Sequence, residues 1–111
     1  MAIKKTMGRT YNVSIEKIRT ALRNPYFSQC LDATFKEEAI LSDGIEFRYI
    51  RKSDWSRYGR NYFVKVKKNE DGRTDVEVTT QSRKVTVLFD PNWEKEVEKI
   101  YGIINMLIEK K

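Results

Sequence analysis

The sequence has 111 residues, 40% of them hydrophobic and 34% charged, which suits one folded domain with a modest core and not a disordered chain. Its 22 Lys and Arg outnumber 16 Asp and Glu, for a net charge of +6. The absence of histidine excludes Ser-His-Asp and Cys-His catalysis and most zinc chemistry, and the single Cys30 excludes an intrachain disulfide.

Residues 3–12 predict a first strand, interrupted by Gly8, with Tyr11 and Val13 inward near its end. Ser14 then has the place of an N-cap, with Val13 and Ile18 at the positions of a hydrophobic staple. Ile15, Ile18, Ala21 and Leu22 form a short apolar stripe, and Asn24-Pro25 stops that helix because a residue before proline disfavours helical geometry. Pro25 to Cys30 reads as a connector anchored by Tyr26 and Phe27, with Cys30 as a small buried apolar side chain.

From Leu31 to Phe89 the pattern is β. Ala33, Phe35, Ala39 and Leu41 would share one face, and a bulge near Glu37-Glu38 would keep Glu37 off it. Ser42-Asp43-Gly44 is a hairpin turn signal. Ile45, Phe47 and Tyr49 alternate with polar residues, then comes a polar loop from Lys52 to Asn61. Tyr62, Val64 and Val66 face one way, with Phe63, Lys65 and Lys67 opposite. A turn at Asn69-Glu70-Asp71-Gly72 leads to Thr74, Val76 and Val78, and a turn at Gln81-Ser82 leads to Val85, Val87 and Phe89.

The stretch from Asp90 to Lys111 predicts one long helix. Asp90 caps it, Pro91 takes its first position, and Trp93, Val97, Ile100, Ile104 and Leu107 recur on one face. A helix this apolar needs a broad cover, and the β face from Ile45 to Val87 supplies it. The expected fold class is α+β, a single domain over 1–111. An antiparallel meander of about five to six strands would carry a short N-terminal helix and the long C-terminal helix on one face. The apolar run is too short for a membrane span. Ala2-Ile3 is followed at once by Lys4-Lys5, so no secretory h-region is read, and a reducing, cytoplasmic setting is expected.

The order of strand, short helix, meander and long final helix, with the phrase from Val13 to Pro25 after the first strand, resembles START-like (helix-grip) domains. The resemblance implies a cavity between sheet and long helix for an apolar small molecule, and no catalytic residues to carry over. A TATA-binding-protein-like or other helix-on-sheet domain has the same pattern.

Two candidate sites emerge. Between Arg48 and Lys68 eight basic residues face one acid, Asp54, so this window carries +7 and the rest of the chain about −1. Arg48, Arg51, Lys52, Arg57, Arg60, Lys65 and Lys67, interleaved with Trp55 and Tyr58, are the residue types that neutralise phosphates and stack on bases. They point to nucleic acid or an acidic protein partner. Asp75 and Glu77 on the next strand could pair with Lys65 and Lys67 and cancel part of that field. The second candidate is an apolar pocket under the long helix, lined by Phe35, Phe47, Tyr49, Tyr101, Gly102 and Met106, with Gly102 leaving room. The glutamates at 37, 38, 94, 96 and 98 lack convergent partners, and no catalytic residue, metal ligand or cofactor is assigned.

Overall fold

The computed structural model of the protein describes residues 4–53, 59–82 and 93–109. β1 (Lys4–Tyr11) leads into α1 (Ile15–Arg23) and α2 (Pro25–Leu31). β2 (Thr34–Leu41), β3 (Gly44–Arg51), β4 (Arg60–Lys68) and β5 (Thr74–Ser82) follow, then α3 (Trp93–Glu109). The class is α+β. The strands form one antiparallel sheet in the order β1-β5-β4-β3-β2, so the first strand returns to pair with the last described one. No helix among the described residues is long and apolar enough to cross a membrane.

Alternation decides which sheet face is covered. Phe47, Tyr49, Tyr62, Val64, Val66, Val76 and Val78 fall on one face, and all are 0–1% exposed. α3 lays Val97, Ile100, Tyr101, Ile103 and Ile104 against that face, and Trp93 and Leu107 pack at the ends of its stripe. α1 and α2 complete the cover with Ile18, Leu22, Phe27 and Leu31. The Tyr101 phenol donates to the carbonyls of Met7 (2.6 Å) and Val76 (3.0 Å), tying α3 to β1 and β5.

Local chemistry accounts for the helix ends. Ser14 Oγ accepts from Lys17 N, as its N-cap role requires. Asn24 serves twice: its N–H closes α1 on Thr20 and Ala21, and its side chain accepts from Tyr26 N to open α2 with Pro25 in the first turn. The expected connector at 25–30 is therefore a helix. Phe27 is buried and Tyr26 is 46% exposed.

Three strand expectations are corrected. The register shift lies between Phe35 and Glu37, one residue earlier than read, so Ala39 and Leu41 fall opposite Glu46 and Gly44 on the outer face, away from Phe35. Glu38 takes the inner position, where Arg19 (2.7 Å) and Arg23 (2.7 Å) of α1 hold its carboxylate. Gln81 and Ser82 are no turn; they extend β5 opposite Asn61 and Arg60. The expected strand at Val85–Phe89 and the Asp90-Pro91 cap lie outside the described residues.

Two glycines give opposite forecasts. A Cβ at Gly44 would collide with the Val66 carbonyl oxygen, while one at Gly102 would meet nothing within 4 Å. Gly44→Ala should destabilise by about 1–3 kcal/mol, and Gly102→Ala should stabilise by up to about 1 kcal/mol, both read from urea unfolding. The hydrogen bonds from Arg23 and Arg19 hold the Glu38 carboxyl below the usual range, outweighing its desolvation. The resulting stability is present above about pH 4.3, where unfolded glutamate is ionised. It is lost as pH falls through the lower folded-state value. Glu38→Gln should flatten this acid limb in a pH series of unfolding midpoints.

Candidate functional site

The inner sheet face buries a pair of basic side chains at one end. There Arg51, the last residue of β3, and Arg60, the first of β4, are register partners. They are 9% and 5% exposed, so two like charges sit side by side in a largely dry place. Such a pair is unfavourable unless donors are satisfied and charge is countered. Arg51 Nη1 donates to the Tyr62 hydroxyl (3.1 Å) and to Glu96 Oε1 (3.1 Å) from the first turn of α3. Tyr62 donates onward to Glu96 Oε2 at 2.8 Å. Arg60 Nη1 donates to Thr80 Oγ1 at 3.1 Å. Burial, with the Glu96 charge beside it, pushes the Tyr62 phenol far above its ordinary value, so it remains a protonated donor.

An open groove of about 780 Å³ adjoins this end. Its wall includes Ser28 and Asp32 at the end of α2, Thr34 and Phe35 of β2, and Arg51 and Lys52 at the end of β3. Asp32 caps α2 in the left-handed region, at φ 58°. The base of the β3–β4 connection is pinched by Gly59 N donating to Ser53 Oγ at 2.8 Å. Polar side chains thus meet one aromatic ring, Phe35, which is 43% exposed.

The basic candidates do not form one patch. Arg51 and Arg60 face inward, with Lys52 exposed at the rim. Arg48, Lys65 and Lys67 lie on the opposite face. Arg48 is engaged by Glu46 (2.7 Å) and Glu37, and Lys65 by Asp43 (2.8 Å). Lys67 lies across from Asp75, whose carboxylate is held by Thr10 and Asn69. Acids balance the outer face. Trp55, Arg57 and Tyr58 lie outside the described residues.

The apolar candidates also divide. Phe47, Tyr49 and Tyr101 are packed to 0–1% exposure. A ligand-sized void beside them would expose their walls, so the described interior is filled where a cavity was expected. Phe35 covers the edge, its ring 6.3 Å from Phe47 and 5.6 Å from Tyr49. Met106 is 42% exposed, and Gly102 faces solvent with no sheet contact to relieve. Sequence reasoning placed Tyr62 within the basic aromatic stretch but missed Glu96 and Thr80 as the partners of Arg51 and Arg60. The one available signal was that Arg51 and Arg60 share the alternation phase of Phe47 and Tyr62.

No family model matches this chain, and no curated protein matches it. Among solved structures it is similar to the crystal structure of Ara h 8.0201, with TM-score 0.58 and 8% identity over 99% of this chain and 100% of that one. It is also similar to the protein of unknown function SA2116 from Staphylococcus aureus, with TM-score 0.54 and 13% identity over 98% and 94%. At these identities the likeness is one of fold: a START/Bet v 1-like helix grip.

The Tyr62 to Glu96 bond is partly buried and charge-assisted. Tyr62→Phe should cost about 1.5–3 kcal/mol, measured by urea unfolding with far-UV circular dichroism as the check on the fold.

Proposed function

We propose that the protein is a non-catalytic binding domain for a small organic molecule with an anionic group, received at the open end of the grip beside Arg51, Lys52 and Arg60. The observation that carries this reading is the pair of buried guanidinium groups opposed across β3 and β4 on the helix-covered face. Guanidinium groups in a dry setting bind carboxylates and phosphates strongly and with geometric selectivity. The adjoining groove supplies hydroxyls for polar parts of a ligand and the Phe35 ring for an apolar part. The helix grip supports the same reading, since its sheet and final helix frame a site at their open end.

A nucleic-acid partner is less well supported. A polyanion needs many cations on one face, and here the stretch from Arg48 to Lys68 is divided between two faces, with acids among the outer cations.

The test is NMR titration of the isotope-labelled full chain with phenylacetate, and separately with an oligonucleotide. Phenylacetate should shift amide signals around residues 28–35, 51–53 and 60–62, and leave those of Thr6, Thr10 and Glu77 in place. Shifts on the outer face with the oligonucleotide, steeply lost with salt, would overturn the proposal in favour of a polyanion surface.

A further inference from the structure

Glu96 stands apart from the other acids of α3. Glu94 is exposed, and the Glu98 side chain is 51% exposed and pairs with Arg9, whereas the Glu96 side chain is 16% exposed and turned into the sheet. Its two oxygens are taken by two different groups of the sheet. Oε1 accepts from Arg51 Nη1 at 3.1 Å and Oε2 from the Tyr62 hydroxyl at 2.8 Å. The two donors are joined to each other by the 3.1 Å contact from Arg51 to Tyr62. Together they form a rigid two-point cradle for one planar carboxylate.

Arg51 is also part of the wall of the 780 Å³ groove, so one of the two donors borders a space open to solvent. An acid that reached Arg51 while Glu96 stayed in place would set two carboxylates side by side in a poorly solvated site, which is strongly unfavourable. Exchange avoids this, because one carboxylate leaves as the other arrives and the charge of the cluster is unchanged. Glu96 lies in the first turn of its helix, near solvent, and needs only a side-chain rotation to leave.

Building on the small-anion reading above, we infer that Glu96 is an internal stand-in for the ligand: a carboxylic acid entering from the groove takes its place on Arg51 and Tyr62. The ligand class is then an organic carboxylate. A phosphate monoester carries more negative charge than the single carboxylate it would replace, so the exchange would not leave the charge of the cluster unchanged. Glu96 also sets a threshold, since a ligand must compete with a tethered carboxylate before it binds.

Isothermal titration calorimetry on the full chain separates the possibilities, with phenylacetate, phenyl phosphate and 2-phenylethanol as probes. Glu96→Gln keeps the shape and removes the competing charge, and should tighten phenylacetate about tenfold without changing 2-phenylethanol. Glu96→Asp withdraws the carboxylate by one methylene and should shift affinity the same way, so the test survives if either variant folds poorly. Arg51→Gln should abolish phenylacetate binding. If phenylacetate binds through Arg51 but neither Glu96 variant tightens it, the stand-in role is overturned and the small-anion reading stands. Tighter binding of phenyl phosphate than of phenylacetate overturns the carboxylate class. No heat with either acid, in wild type and in both Glu96 variants, overturns the inference and the small-anion reading together.

Discussion

Three buried phenols hold the helices to the sheet, and the arrangement of the chain follows from where they reach. Tyr49 of β3 donates to the Leu22 carbonyl (2.8 Å), one of the last carbonyls of α1 that have no partner within the helix. Tyr62 of β4 reaches Glu96 at the start of α3. Tyr101 of α3 reaches back to β1 and β5. Each ring adds a large apolar area to the core and places its hydroxyl on a carbonyl or carboxylate oxygen of another element. Burial pushes all three phenols well above their ordinary values, so the links stay protonated. A core that was only apolar would leave the angle of α3 to be set by shape alone. The Tyr62 and Tyr101 hydroxyls give it two fixed points, and the Tyr49 hydroxyl gives α1 one.

The same fastening goes with a closed described interior and leaves the buried guanidinium pair at one end. Val64, Val66, Val76 and Val78 fill the middle of the sheet, and Val97, Ile100 and Ile104 meet them. The rings of Tyr49, Tyr62 and Tyr101 fill the space beside them. Toward the ends of β3 and β4 the inward positions change from valine and tyrosine to Arg51 and Arg60. The guanidinium groups are placed by the strand register, and α3 answers them with Glu96.

The sequence made the covered face legible wherever one strand face is apolar and the other polar. Ile45 to Tyr49, Tyr62 to Val66 and Thr74 to Val78 keep strict alternation, and the structure follows it. Ser14 and the α3 stripe were legible for a similar reason, because each is a local pattern with a local cause. What was not legible depends on distance in sequence. The bulge at Lys36 shifts every later residue of β2 by one face, and only the partner strand decides where it falls. α2 was hidden because Asn24-Pro25 both ends one helix and begins another. Arg51 and Arg60 read as solvent-facing charges because their partners lie as many as 45 residues away, in Glu96 for Arg51.

The bulge has a consequence beyond register. Among the described residues β2 is one of the two edges of the sheet, paired with β3 on one side only. A straight edge with Phe35 and the 84% exposed Ile40 on it would offer a ready template for another strand. The irregularity between Phe35 and Glu37 breaks the regular row of backbone donors and acceptors, and Lys36 and Glu37 add exposed charge at that point. Glu38, drawn inward to Arg19 and Arg23, ties the middle of the strand to α1. The edge is thereby interrupted, charged and anchored, which guards β2 against pairing with a strand of another copy.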